Sequence, residues 1–200
     1  MKTPLLRLLL LLFLFSSLAA CSKVAPVELN LKGTDIRDAG LGGDFSLNAH
    51  DGRLQSLSAF RGKVVALFFG YTHCPDVCPT TMLEYAQAMK ALGADAERVQ
   101  VLFVTLDPQH DTAEVLSGAV ARFDPRFVGL RGSEAEISQL AKKFNIVYQQ
   151  LGSNSMAGGS IEHSAGVYVF DRSGKLRLYA AYGSSHVALE HDLRLLLQES

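Results

Sequence analysis

Apolar positions along the chain fall into runs of two kinds, and their order predicts an α/β domain. Residues 63–70 form a nearly unbroken apolar stretch rich in branched and aromatic side chains. Such length and composition predict a central strand buried on both faces. Residues 99–106 repeat the pattern, and 127–130 read as a shorter strand. Between these runs the spacing becomes helical. Met82, Tyr85, Ala86, Met89 and Leu92 recur at intervals of three and four behind Pro79, a residue suited to a first helical position. A second helix is predicted over 112–122, and a third carries Ile137, Leu140, Ala141 and Phe144 on one face. Residues 152–162 read as a Gly/Ser-rich loop. Residues 166–170 and 176–181 then flank Asp171-Arg172-Ser173-Gly174 as an antiparallel hairpin, and a last helix covers 185–197. Strand–helix alternation closed by a hairpin and a helix predicts a mixed central sheet flanked by helices.

The N-terminus carries a different signal. Lys2 and Arg7 precede an apolar run over 8–14, too short for a spanning helix of ~20 residues but right for an export leader. The run ends in Leu18-Ala19-Ala20-Cys21, which resembles a bacterial lipoprotein box; the alternative is an ordinary signal peptide followed by a coincidental cysteine. On the lipoprotein reading, residues 1–20 are removed, Cys21 is lipidated, 21–43 form a tether with room for one short strand, and 44–200 form the domain. Acyl chains bury at ~0.8 kcal/mol per methylene, enough for several chains to hold the protein to a membrane. The expected location is the bacterial cell envelope, with the domain facing the periplasm. Losing the leader removes two basic residues, leaving 17 basic against 20 acidic and a net charge of −3. With no basic run, nucleic acid is excluded as a partner.

A lipidated Cys21 leaves Cys74 and Cys78 as the only free cysteines of the mature chain. One pair four residues apart is no disulfide scaffold for a small secreted fold, so it reads as a redox or metal pair. The pair lies in Gly70-Tyr71-Thr72-His73-Cys74-Pro75-Asp76-Val77-Cys78-Pro79-Thr80, between a buried strand and its helix. A helix N-terminus favours thiolates, which are both nucleophiles and ligands for soft ions.

This segment, Val104–Thr112 with its Asp107-Pro108-Gln109-His110-Asp111, and the later Glu162-His163-Ser164 together resemble the Sco/SenC family over residues 44–198. The resemblance implies a thioredoxin-like fold and one copper ion, Cu(I) or Cu(II), held by Cys74, Cys78 and His163. It further implies delivery to, or maturation of, the CuA-bearing subunit of cytochrome c oxidase, or service to another envelope copper protein. Where the family often has Asp before the histidine, this chain has Glu162. Asp107 and Asp111 have two readings, as caps of the helix beginning near Thr112 or as charges acting on the thiols. His73, His110, His186 and His191 read as non-ligands, Met82 and Met89 as core, and Met156 alone as no methionine-rich site.

Two other functions use the same cysteines. A thiol–disulfide oxidoreductase would need no metal, but none of the six prolines lies near 163–165, where thioredoxins place a cis-proline. A peroxiredoxin-like peroxidase needs a threonine three residues before its cysteine, and Pro75 fills that position. No long heptad or unexplained apolar stripe calls for a second copy, so a monomer is expected.

Overall fold

The computed structural model of the protein describes residues 29–151 and 160–199. The leader, Cys21 and Met156 lie outside the described residues. Ten strands and four helices follow in the order β1 (Thr34–Asp35), β2 (Ser46–Ala49), β3 (Leu54–Ser56), β4 (Val64–Gly70), α1 (Val77–Leu92), β5 (Val99–Thr105), α2 (Ala113–Ala121), β6 (Val128–Arg131), α3 (Glu134–Lys143), β7 (Tyr148–Leu151), β8 (Ser160–His163), β9 (Gly166–Phe170), β10 (Leu176–Ala181) and α4 (His186–Gln198). Eight strands form one sheet in the order β1-β10-β9-β4-β5-β6-β2-β3, while β7 and β8 pair separately. The pairs β4–β5 and β5–β6 are parallel, and β9 closes antiparallel on β4.

The two longest apolar runs become β4 and β5, every residue of which is buried. Alternate side chains divide between two layers. Val65, Leu67 and Phe69 of β4 join Leu102 and Val104 of β5 and the apolar face of α3, with Ile137, Leu140 and Phe144. The opposite face, with Phe68 and Phe103, is covered by α1, α2 and α4. Gly70 ends β4 on that face. A Cβ there would stand 2.7 Å from the Cys78 sulfur and 3.0 Å from the Phe103 ring, so glycine is what lets α1 start against the strand end.

Several features refine the sequence reading. The compact unit includes residues from Leu31 onward. Residues assigned to the tether are bound to the sheet: β1 pairs with β10, and the buried Asp192 of α4 accepts hydrogen bonds from the backbone N–H groups of Lys32 and Gly33, both at 2.8 Å. Helix α1 begins at Val77, two residues before Pro79, so Cys78 lies inside its first turn. Proline is tolerated there because first-turn N–H groups have no helical partner. Residues 160–162, read as loop, belong to strand β8, and the β2–β3 hairpin has no counterpart in the apolar pattern.

The Asp192 contact carries a prediction. Asp192→Ala strips two charge-assisted bonds from the point where the chain enters the sheet, so an expected loss of about 1.5–3 kcal/mol follows. Urea denaturation measures it, and a loss below about 0.5 kcal/mol would mean that this docking contributes nothing.

Candidate metal centre

Cys74 sits on the loop between β4 and α1, half-buried, and Cys78 in the first turn of α1, 4% exposed. Both are free thiols. They form an asymmetric pair. The Cys78 thiol donates to the Cys74 sulfur, and this bond, aided by the backbone N–H groups of Cys78 and Asp76 and by the Tyr71 hydroxyl, outweighs burial and holds the Cys74 thiol down at about 5. The same bond pushes Cys78 far up, and burial and the nearby Asp111 charge push it the same way. The two thiols therefore titrate as a pair, with Cys74 the easier of the two to ionise.

The loop is fixed from below by Asp111, which is wholly buried. Its carboxylate accepts from the Thr72 backbone N–H at 3.1 Å, the Thr72 hydroxyl at 2.5 Å and the Thr105 hydroxyl at 2.5 Å. Three donors on one carboxylate tie the cysteine loop to the end of β5. The capping reading of Asp107 and Asp111 is thereby corrected. Thr112 itself caps α2, accepting from the Val115 N–H, because its hydroxyl already stands at the position a cap needs.

His163 arrives from the other side as the last residue of β8, opposite Tyr148 of β7. Ile161, two residues earlier, is buried in the main core and anchors the hairpin. The His163 Nδ1 lies 3.0 Å from the Ser164 carbonyl, which can only accept, so Nδ1 carries the hydrogen. In the neutral ring the lone pair is then on Nε2, which faces the Cys78 Sγ at 3.8 Å. Bonds of about 2.3 Å to sulfur and about 2.0 Å to nitrogen, opened to about 120°, would set two such donors about 3.7 Å apart. The spacing suits one ion between them. As they stand, no three His, Cys, Asp or Glu side chains among the described residues are gathered to hold a metal. Cys74 is hydrogen-bonded to Cys78 and shares a cleft with His163.

Asp107 touches neither cysteine in any recorded contact. Its buried carboxylate receives the His110 Nδ1 at 2.9 Å and lies 3.7 Å from the His73 Nε2. The His73 ring packs edge-on against Tyr71 with centroids 4.6 Å apart, and Tyr71 does the same with His163 at 6.2 Å. Asp107 therefore reaches the centre through His73 and Tyr71 and, by its backbone N–H on the Thr105 hydroxyl at 2.9 Å, through Asp111. Glu162 is exposed on the cleft that Cys74 and His163 line. His186 and His191 are partly exposed but paired, with Glu84 and Asp192. Sequence reasoning gave no role to Tyr71, Thr72 or Thr105. Tyr71 was visible as an aromatic inside the cysteine motif, whereas the threonines carry no signal without the fold.

The SCO1/SenC family model matches residues 33–198. Protein SCO2 homolog, mitochondrial, from Bos taurus is 34% identical over 162 residues, which cover 80% of this chain; the chain spans only 61% of that protein. Apo Sco1 from Thermus thermophilus is 36% identical, with a TM-score of 0.74 over 84% of this chain and 97% of that one. ScoI from Bradyrhizobium japonicum, solved with copper bound, is 31% identical, with a TM-score of 0.72 over 78% of this chain and 99% of that one. The mixed sheet flanked by helices is thus the thioredoxin-like arrangement of those structures.

Proposed function

The chain belongs to the SCO1/SenC family, and from that membership we propose that it binds one copper ion through Cys74, Cys78 and His163. It passes the ion to the CuA-bearing subunit of cytochrome c oxidase, or prepares that subunit's site. The observation that carries the reading is the His163 ring, whose Nδ1 is occupied by the Ser164 carbonyl while Nε2 faces the Cys78 sulfur. A hydrogen bond at the far nitrogen is the usual way a protein orients a ligating imidazole. Two soft sulfurs favour Cu(I), and the imidazole extends the site to Cu(II).

The residues divide the work of loading. Cys74 is the thiolate available to meet the incoming ion, Cys78 gives up the shared proton as the ion arrives, and His163 completes the set. Asp111 keeps the loop in place. Release reverses these exchanges one donor at a time, so a docked partner's sulfurs can take over without free ion in solution. We extend the reading to location: the leader and a lipid on Cys21 would hold the domain at the periplasmic face of an envelope membrane.

A second reading rests on the unequal thiols. A half-buried Cys74 of low pKa beside a proton-holding Cys78 is also the pattern of a dithiol reductant. The fully reduced protein, titrated anaerobically with Cu(I) against a competing chelator and then with Cu(II), separates the two. Tight one-to-one binding is expected. No binding of either ion, together with rapid reduction of a test disulfide, would move the protein to the second reading.

A further inference from the structure

Two clefts meet at the cysteine pair. One is lined by Tyr71, Cys74, Glu162 and His163. The other lies between α1 and α2, where Cys74, Cys78, Met82, Phe103, Val120 and Phe123 form its wall. Cys74 opens to both. The second cleft combines aromatic and aliphatic side chains with the Arg122 guanidinium, and its lining includes no imidazole or carboxylate. Its only heteroatoms of a soft kind are the two thiols and the Met82 thioether.

Met82 lies four residues beyond Cys78 on α1. Helical side chains lean toward the N-terminus, so Met82 covers the turn that carries Cys78. The buried face of α1 comprises Cys78, Met82, Tyr85, Ala88, Met89 and Leu92, yet only Cys78 and Met82 reach this cleft. Met89 is buried on the same face and lines neither cleft. It therefore shows what a methionine contributes to this helix by packing alone. A leucine would fill position 82 about as well. What methionine adds beside two thiols is a neutral, polarisable sulfur.

Building on the copper reading, we propose that Met82 is a soft auxiliary donor to Cu(I), acting from the cleft between α1 and α2 that it shares with both cysteines. A thioether discriminates between oxidation states, since it suits Cu(I) and offers little to Cu(II). The pair is then flanked by a thioether in one cleft and by an imidazole in the other. Met82 favours the reduced ion, and His163 supports the oxidised one.

The test uses the full reduced chain as wild type, Met82→Leu and Met89→Leu. Affinities for Cu(I) and Cu(II) are measured separately by chelator competition, and X-ray absorption counts the sulfurs around Cu(I). Met82→Leu is expected to weaken Cu(I) about tenfold, to remove one sulfur from the count, and to leave Cu(II) within about twofold. Met89→Leu should match wild type throughout. An unchanged Cu(I) affinity and sulfur count in Met82→Leu would overturn the inference. An equal loss in Met89→Leu would do so too, by tracing the effect to packing. If wild type bound neither ion, the copper reading itself would be at fault, a result distinct from either.

Discussion

Replacing His163 with alanine is expected to weaken Cu(II) binding by more than about a hundredfold, beyond what loss of a group that merely supports a ligand costs. The argument is electronic as well as geometric. Two thiolates alone make a soft, low-coordinate site, which Cu(I) accepts and Cu(II) does not. The imidazole is the borderline donor that makes the oxidised ion tolerable, and its Nε2 already stands 3.8 Å from the Cys78 sulfur. Cu(I) affinity should fall less, because both sulfurs remain. Cys78→Ala should remove tight binding of both ions. The sulfur-to-copper charge-transfer absorption of the Cu(II) form should vanish in both variants. His163 is the last residue of a hairpin that Ile161 anchors in the core, so the alanine variant should keep its thermal midpoint. A His163→Ala protein with wild-type affinity and spectrum would remove the histidine from the site.

The parts of this fold legible in the sequence were those in which one physical signal dominated. Strands β4 and β5 are buried on both faces, so their composition is apolar but for Gln100 and Thr105 of β5, and no register is needed to recognise them. Helices α1 and α3 each bury one face, and their apolar residues keep helical spacing. The β2–β3 hairpin was not legible, because Ser46–Ala49 buries only alternate residues over four positions. The short strand expected within the tether could not be placed for another reason: both residues of β1 are exposed, it is held by backbone pairing with β10, and Asp192 binds Lys32 and Gly33 just before it from 160 and 159 residues away.

The site divides the same way. Cys74 and Cys78 announce themselves by type and spacing, and His163 came from the resemblance rather than from its surroundings. What spacing could not supply is the use of the carboxylates. Asp107 and Asp111 are four residues apart and chemically identical, yet Asp111 braces the loop through Thr72 and Thr105 while Asp107 holds two imidazoles. The parallel pairing of β4 and β5, with Gly70 opposite Thr105, brings Thr72 to Asp111. Helix capping, the ordinary role for an aspartate before a helix, went to Thr112.

The unequal thiols predict a one-sided alkylation. In reduced, metal-free protein at pH 6, iodoacetamide is expected to add once, at Cys74, and to leave Cys78 unmodified until the protein unfolds. The sign follows from the proton between the sulfurs. With the Cys74 pKa lowered to about 5, the reactive thiolate is the main form at any pH above that value, and the rate should rise through about pH 5 and then level off. An ordinary thiol instead keeps gaining reactivity to about pH 8.5. The gain in rate is smaller than the gain in thiolate, because nucleophilicity falls with basicity; about fivefold to tenfold over an unfolded cysteine at pH 6 is expected. Cys78 is silent twice over, being buried and holding the proton. Cys78→Ala removes the main cause of the low value, so the midpoint for Cys74 should move up toward that of an ordinary thiol. Mass spectrometry of peptides after timed quenching reads both sites at once. Equal labelling of the two cysteines, or a wild-type midpoint near 8.5, would mean that the pair shares no proton and that Cys74 is not the sulfur an incoming ion meets first.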